Sequence, residues 1–157
     1  MEYLNNSQVV AFGKLSFKDV NKSIFSLLPD MSLLVIKEFE DEYRAICIDL
    51  EIDSLGQTVQ SACDKLTNVL RLYTLQEIDN FGNDSGAVQD ILNTIRTAGK
   101  QKDVLFNMYF EAIHKYMLNE NFENSKSKND VPQNVSNFFL IEPMHYSFSE
   151  PAVVAQA

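Results

Sequence analysis

The sequence predicts an α+β fold: a small antiparallel sheet with a helix packed on one face, followed by further helix and an apolar tail. Three observations predict it. Residues 32–50 contain two short, β-branched apolar runs separated by a polar turn. Residues 58–75 carry apolar side chains at helical spacing. Residues 86–118 repeat that spacing in two more segments. The chain has 157 residues, and a domain usually holds roughly 100–200. One α+β domain over 1–120 is therefore expected. A polar linker over 121–134 and a tail over 135–157, docking on the core or on a partner subunit, complete the layout.

The elements follow in order. Ser7–Leu15 is weakly patterned and suits a short strand. Ser16-Phe17-Lys18-Asp19 resembles a capping box, and Val20, Ile24, Leu27 and Leu28 share one face of a short helix that Pro29-Asp30 ends. Ser32–Glu38 begins with an apolar run short enough to be a strand buried on both faces. Phe39-Glu40-Asp41-Glu42 makes the turn; it lacks Asn-Gly or Asp-Gly, which predicts a longer or bulged connection. Tyr43–Leu50 is the return strand. Arg44, Ile46, Ile48, Leu50 and Ile52 lie in one phase, and Asp49, Glu51 and Asp53 in the other.

Gly56 is expected to leave the strand through a positive φ, and Thr58 to cap the next helix. Val59, Ala62, Cys63, Leu66, Val69, Leu70 and Tyr73 then form the cleanest amphipathic face in the chain. Asp84 or Ser85 is expected to cap a helix through about Ala98, with Val88, Ile91, Leu92 and Ile95 inward and Gly99 at its C-terminal stop. A last helix over about 101–118 has a wide apolar face, and the tight connection predicts a helical hairpin over 86–118. The tail turns apolar again at Val135, Phe138, Phe139, Leu140 and Ile141 and is free to add a strand, fold over the core or dock on a second subunit.

Composition excludes several function classes. Thirteen Lys and Arg face 22 Asp and Glu, a net charge of −9 that disfavours duplex nucleic acid as a ligand. No apolar run approaches the roughly 18–20 residues of a membrane span, and residues 1–20 do not resemble a signal peptide, so a cytoplasmic protein is expected. The phosphate-binding, dinucleotide-binding, hydrolase-elbow and zinc-protease motifs are missing. Cys47 and Cys63 sit at apolar-phase positions and read as core residues; two histidines, His114 and His145, cannot build a multi-histidine metal site. No cofactor is expected.

The charge is concentrated. Within 38–53 lie seven acids (Glu38, Glu40, Asp41, Glu42, Asp49, Glu51 and Asp53) against one base, Arg44. Such a block is either a solvated edge or, in the functional reading, a surface that steers a basic partner. A second reading uses strand alternation. Asp49, Glu51 and Asp53 would stand roughly 6–7 Å apart on one face, where Mg²⁺ or Mn²⁺ could bind for a nuclease or hydrolase reaction. Lys100, Gln101 and Lys102, with Arg96 one turn earlier, form the one local basic spot, where phosphate contact is the alternative to a solvated loop.

The order of pieces over 33–75 carries a resemblance. A strand (Leu34-Val35-Ile36-Lys37-Glu38) leads into an acidic turn and strand start (Glu40-Asp41-Glu42-Tyr43-Arg44-Ala45). Ile48-Asp49-Leu50, a Gly56-Gln57-Thr58 turn and a helix running from Ser61-Ala62 to Leu70-Arg71-Leu72-Tyr73 follow. This resembles the HicB-like antitoxin family. The resemblance implies a compact α+β unit that sequesters a small, basic, RNA-cleaving toxin and self-associates. The reading is thus a non-enzymatic protein-binding module, and a homodimer or larger assembly is expected. The alternatives are the carboxylate-cluster hydrolase and a purely structural homo-oligomer formed through 135–155 or 104–117.

Overall fold

The computed structural model describes residues 8–16, 28–99, 101–117, 122–124, 132 and 135–141. The helix expected at 16–28 falls almost entirely outside them, as do most of the 121–134 linker and the tail beyond 141. Six strands form one antiparallel sheet: β1 (Gln8–Leu15), β2 (Met31–Phe39), β3 (Glu42–Cys47), β4 (Ile52–Gly56), β5 (Phe122–Asn124) and β6 (Val135–Ile141). Their order across the sheet is β4-β3-β2-β1-β6-β5. Three helices complete the described fold: α1 (Val59–Phe81), α2 (Asp84–Arg96) and α3 (Lys102–Met117). The α+β class expected from the sequence is the class observed. The tail takes the first of its three options and adds a strand, pairing Phe139 with Phe12 and Val135 with Leu15.

Strand alternation divides the core into two layers. Met31, Leu33 and Val35 of β2 point to one side with Ala45 and Cys47 of β3, where Ala62, Cys63, Leu66 and Leu70 of α1 and Ile91 of α2 cover them. Leu34 and Ile36 point to the other side with Phe12 and Ile46, under Leu105, Tyr109 and Ala112 of α3. All six residues from Met31 to Ile36 are buried, as a strand with helices over both faces requires. This revises the expected helical hairpin. α2 belongs to the first core and α3 to the second, so the connection between Arg96 and Lys102 carries the chain past the sheet rather than back along one face.

Lys102 explains how that crossing is held. Its side chain is buried, and its ammonium donates to the carbonyls of Thr94 (2.8 Å), Ile95 (3.3 Å) and Thr97 (2.6 Å). These carbonyls lie at the C-terminal end of α2, where helix geometry leaves acceptors short of donors at the negative end of the dipole; Thr94 O also accepts from Thr97 N at 3.3 Å. The basic spot of the sequence is therefore a helix cap. Lys102→Met is expected to destabilise the protein by about 2 kcal/mol, the cost of leaving buried acceptors unmet. Thermal unfolding would show it as a loss of roughly 4–8 °C. An unchanged midpoint would mean that water replaces the ammonium without loss.

Local boundaries follow from capping. The Thr58 hydroxyl accepts from Ser61 N (3.0 Å) while the Ser61 hydroxyl accepts from Thr58 N (3.1 Å), a reciprocal box that starts α1 where expected. The helix runs beyond its expected end at Leu75 to Phe81, and Gly82, at φ 71°, ends it by donating to the Ile78 carbonyl. Asn83, not Asp84 or Ser85, caps α2, its side-chain oxygen accepting from Gly86 N at 2.6 Å. α2 stops at Arg96, before Gly99.

Candidate functional site

The acidic block splits into two groups because β3 ends early. Ser32 N donates to the Asp49 carboxylate at 2.6 Å and the Ser32 carbonyl accepts from Ile48 N, so the start of β2 is bonded to a turn instead of to a continued β3. Residues 48–51 form that turn, closed by Glu51 N donating to the Ile48 carbonyl with Glu51 at φ 56°. The return strand is thus 42–47 rather than 43–50, and Ile52–Gly56 is a separate strand. Asp49, Glu51 and Asp53 do not share a strand face. Asp49 binds a backbone amide, Glu51 lies in the turn against Gly99, and Asp53 reaches across the sheet to Arg44. Among the described residues no group of three or more His, Cys, Asp or Glu is placed to hold a metal ion.

Arg44 organises the first group. It stands opposite Ile36 on β2 and Leu55 on β4, which makes Glu38 and Asp53 its diagonal neighbours. The guanidinium donates to Glu38 through Nε (2.6 Å) and NH2 (3.2 Å) and to Asp53 through NH1 (2.6 Å). The Glu38 side chain is 4% exposed. The hydrogen bonds that Arg44 donates to Glu38, opposed by burial and aided by Asp53, hold Arg44 even more firmly protonated than usual. Glu38 and Asp53 are therefore tied up in a three-strand ion cluster and do not form a free negative surface.

The second group is the hairpin tip. Glu40-Asp41 is a two-residue turn with Asp41 at φ 57°, a left-handed conformation that Asp tolerates, and the β2–β3 register shifts between Lys37 and Phe39. The bulge expected from the missing Asn-Gly is present. Glu40 lies 4.0 Å from Lys37 and is largely exposed. Glu40, Asp41 and Glu42 form one wall of an open groove of about 640 Å³. Leu55, Gly56 and Gln57 from β4 and the turn after it, and Ser61 and Lys65 from α1, complete its lining.

Gly56 is what lets the walls meet. Its φ is not positive; the positive-φ glycine among the described residues is Gly82. A Cβ at Gly56 would overlap the Ala62 amide nitrogen and the Ser61 hydroxyl, so glycine is there for close approach of β4 to the first turn of α1. Gly99 is similar, its missing side chain making room for the Glu51 carboxylate. Gln57, Ser61 and Lys65 do not stand out in the sequence as groove residues. The Gly-x-Thr turn is the available signal, since it folds the helix start back against the hairpin.

The other chemistry-bearing residues have structural settings. Cys47 and Cys63 are buried in the first core, and burial pushes the Cys47 thiol up to about 12 and Cys63 higher still. Neither is an activated thiolate. His114 is exposed on α3 beside Asn107, Phe110 and Glu111, and His145 lies outside the described residues.

A carboxyl pair links α1 to α2. Glu77 is buried, and its protonation is raised by that burial and then by a hydrogen bond to Asp90, with Tyr73 also bonded to it. A carboxyl that binds its proton more tightly when folded stabilises the protein at low pH. That contribution is lost as pH rises from about 4.5, the ordinary value, through the raised folded value. Glu77→Gln is therefore expected to flatten the fall of stability above that pH and to raise the unfolding midpoint at pH 7. Thermal melts of both proteins across pH 4–8 check it, and parallel curves would contradict it.

No protein-family model matches this chain. No curated protein and no solved structure matches it either. No described helix is long and apolar enough to cross a membrane.

Proposed function

We propose that the chain is a non-enzymatic protein-binding module of antitoxin or regulatory type, whose acidic hairpin takes a small basic protein partner. The observation that carries this reading is the groove at the hairpin tip. Glu40, Asp41 and Glu42 line it on the exposed side and Lys65 is the base among its lining residues. Three acidic residues lining one open groove favour cationic side chains and speed their approach. The order of pieces over 33–75 that resembles HicB-like antitoxins supports the same partner class. Glu38 and Asp53, matched by Arg44, give the hairpin a fixed base, while Asp49 pins the turn behind it.

The test compares the native chain with a variant carrying Glu40→Lys, Asp41→Lys and Glu42→Lys. These side chains are exposed or half-exposed, and the variant is expected to fold. Native lysate passed over the immobilised chain should yield a basic protein that elutes as ionic strength rises and is absent from the variant. A small basic protein encoded in the neighbouring reading frame is the first candidate for direct titration. Equal capture by both chains, or repeated recovery of nothing but the chain itself, would overturn the reading.

A further inference from the structure

We infer that the partner segment joins the sheet as an added strand along the outer edge of β4, with a Lys or Arg side chain lowered into the groove at the hairpin tip. This rests on the reading above and specifies how that surface binds. The sheet order ends at β4, and among the described residues no strand pairs with its outer side. A terminal strand presents a row of backbone donors and acceptors that an extended peptide can match.

β4 lacks the residue types and the bulge that often blunt such an edge. Ile52-Asp53-Ser54-Leu55-Gly56 contains no Pro and no Lys. Its pairing with β3 runs without a register shift, whereas β1–β2, β1–β6 and β2–β3 each contain one. Its single charge, Asp53, is turned across the sheet to Arg44. Leu55 remains 38% exposed, an apolar contact for the incoming strand. The opposite edge of the sheet is the three-residue β5, which offers less backbone.

Charge decides the occupant. The C-terminal residues of β4, Leu55 and Gly56, lie in the same groove as Glu40, Asp41 and Glu42. A strand extending along β4 toward Gly56 thus brings its side chains to three carboxylates. A second copy of this chain would bring its own acidic hairpin to the same edge and be repelled. A basic extended segment of about five residues, the length of β4, satisfies both the backbone row and the groove.

The full-length chain, labelled with ¹⁵N, would be titrated with a capped peptide of alternating Val and Lys. The same peptide methylated on every backbone nitrogen, which blocks both of its edges, would be titrated in parallel. The expected result is saturable shifts at the amides of 52–57 and 40–42, and affinity weaker by about tenfold or more for the methylated peptide. Shifts confined to 40–42 with equal affinity for both peptides would overturn strand addition and leave the acidic hairpin as the binding surface. No saturable shift from either peptide would overturn both. Concentration-dependent shifts at 52–57 without peptide would assign the edge to a second copy of the chain and overturn the basic-segment inference.

Discussion

Arg44→Met is expected to lower the unfolding free energy by about 3 kcal/mol, because it strands the Glu38 carboxylate without its partner. Glu38 is 4% exposed and accepts two hydrogen bonds from the guanidinium. The figure is taken at the lower end for buried pairs because Arg44 itself is 22% exposed and solvent can reach part of the site. Urea denaturation should show the loss as a lower midpoint with an unchanged slope. The cluster's geometry predicts an asymmetry between its two acids. Asp53→Asn removes a partner that is 42% exposed and should cost less than about 1 kcal/mol. Adding Glu38→Leu to Arg44→Met should recover most of the loss, since the buried charge is then gone along with its partner. If Arg44→Met alone unfolds within about 0.5 kcal/mol of the parent, Glu38 is solvated well enough to do without it.

Gly56→Ala is expected to cost roughly 2–4 kcal/mol, a large effect for one methyl group. Besides the Ser61 hydroxyl, the added Cβ would meet backbone that cannot rotate away, lying 2.8 Å from Ala62 Cα. Ala62 is fully buried, and its amide donates to the Thr58 carbonyl at 3.0 Å. The first turn of α1 must therefore lift, opening the Thr58–Ser61 box and the wall of the groove together. Thermal unfolding gives the size of the effect, and faster hydrogen exchange at Ala62 would locate it. Gly82→Asn is the contrasting substitution. At φ 71° with open space around it, that position asks for tolerance of the left-handed region, which Asn has. A Gly56→Ala variant as stable as the Gly82→Asn variant would contradict the packing explanation.

The regular parts of this fold are legible in the sequence, and the departures have specific causes. The apolar run beginning at Ser32 reads as a strand buried on both faces, and the Thr58 cap with Ala62, Cys63, Leu66 and Leu70 reads as a helix packed on a sheet; burial agrees along both. Strand alternation then misleads at Ile48. The phase Ile46, Ile48, Leu50, Ile52 continues without interruption, and nothing in it shows that the Asp49 carboxylate will take the Ser32 amide and end β3. The metal reading of Asp49, Glu51 and Asp53 depends on that unbroken strand. α1 reads short because Thr74 and Glu77, polar residues on its inward side, are buried, a setting local periodicity does not reveal. Lys102 reads as surface because lysine usually is. Its three carbonyl partners come from the end of a preceding helix, which the sequence places only approximately. Within the groove, Glu40, Asp41 and Glu42 are visible as a charge run, while Ser61 and Lys65 require knowing how closely Gly56 lets the helix approach.

The pairing of β1 with β6 sets an order of events during synthesis. Gln8–Leu15 leaves the ribosome long before one of its two neighbours, which starts at Val135. Closing so long a loop is slow compared with forming the β2–β3–β4 meander and its helix, which are local in sequence. The nascent chain therefore passes through a stage in which β1 offers a bare, unfinished margin containing Phe12, open to capture by a holdase or a second nascent copy before β6 arrives.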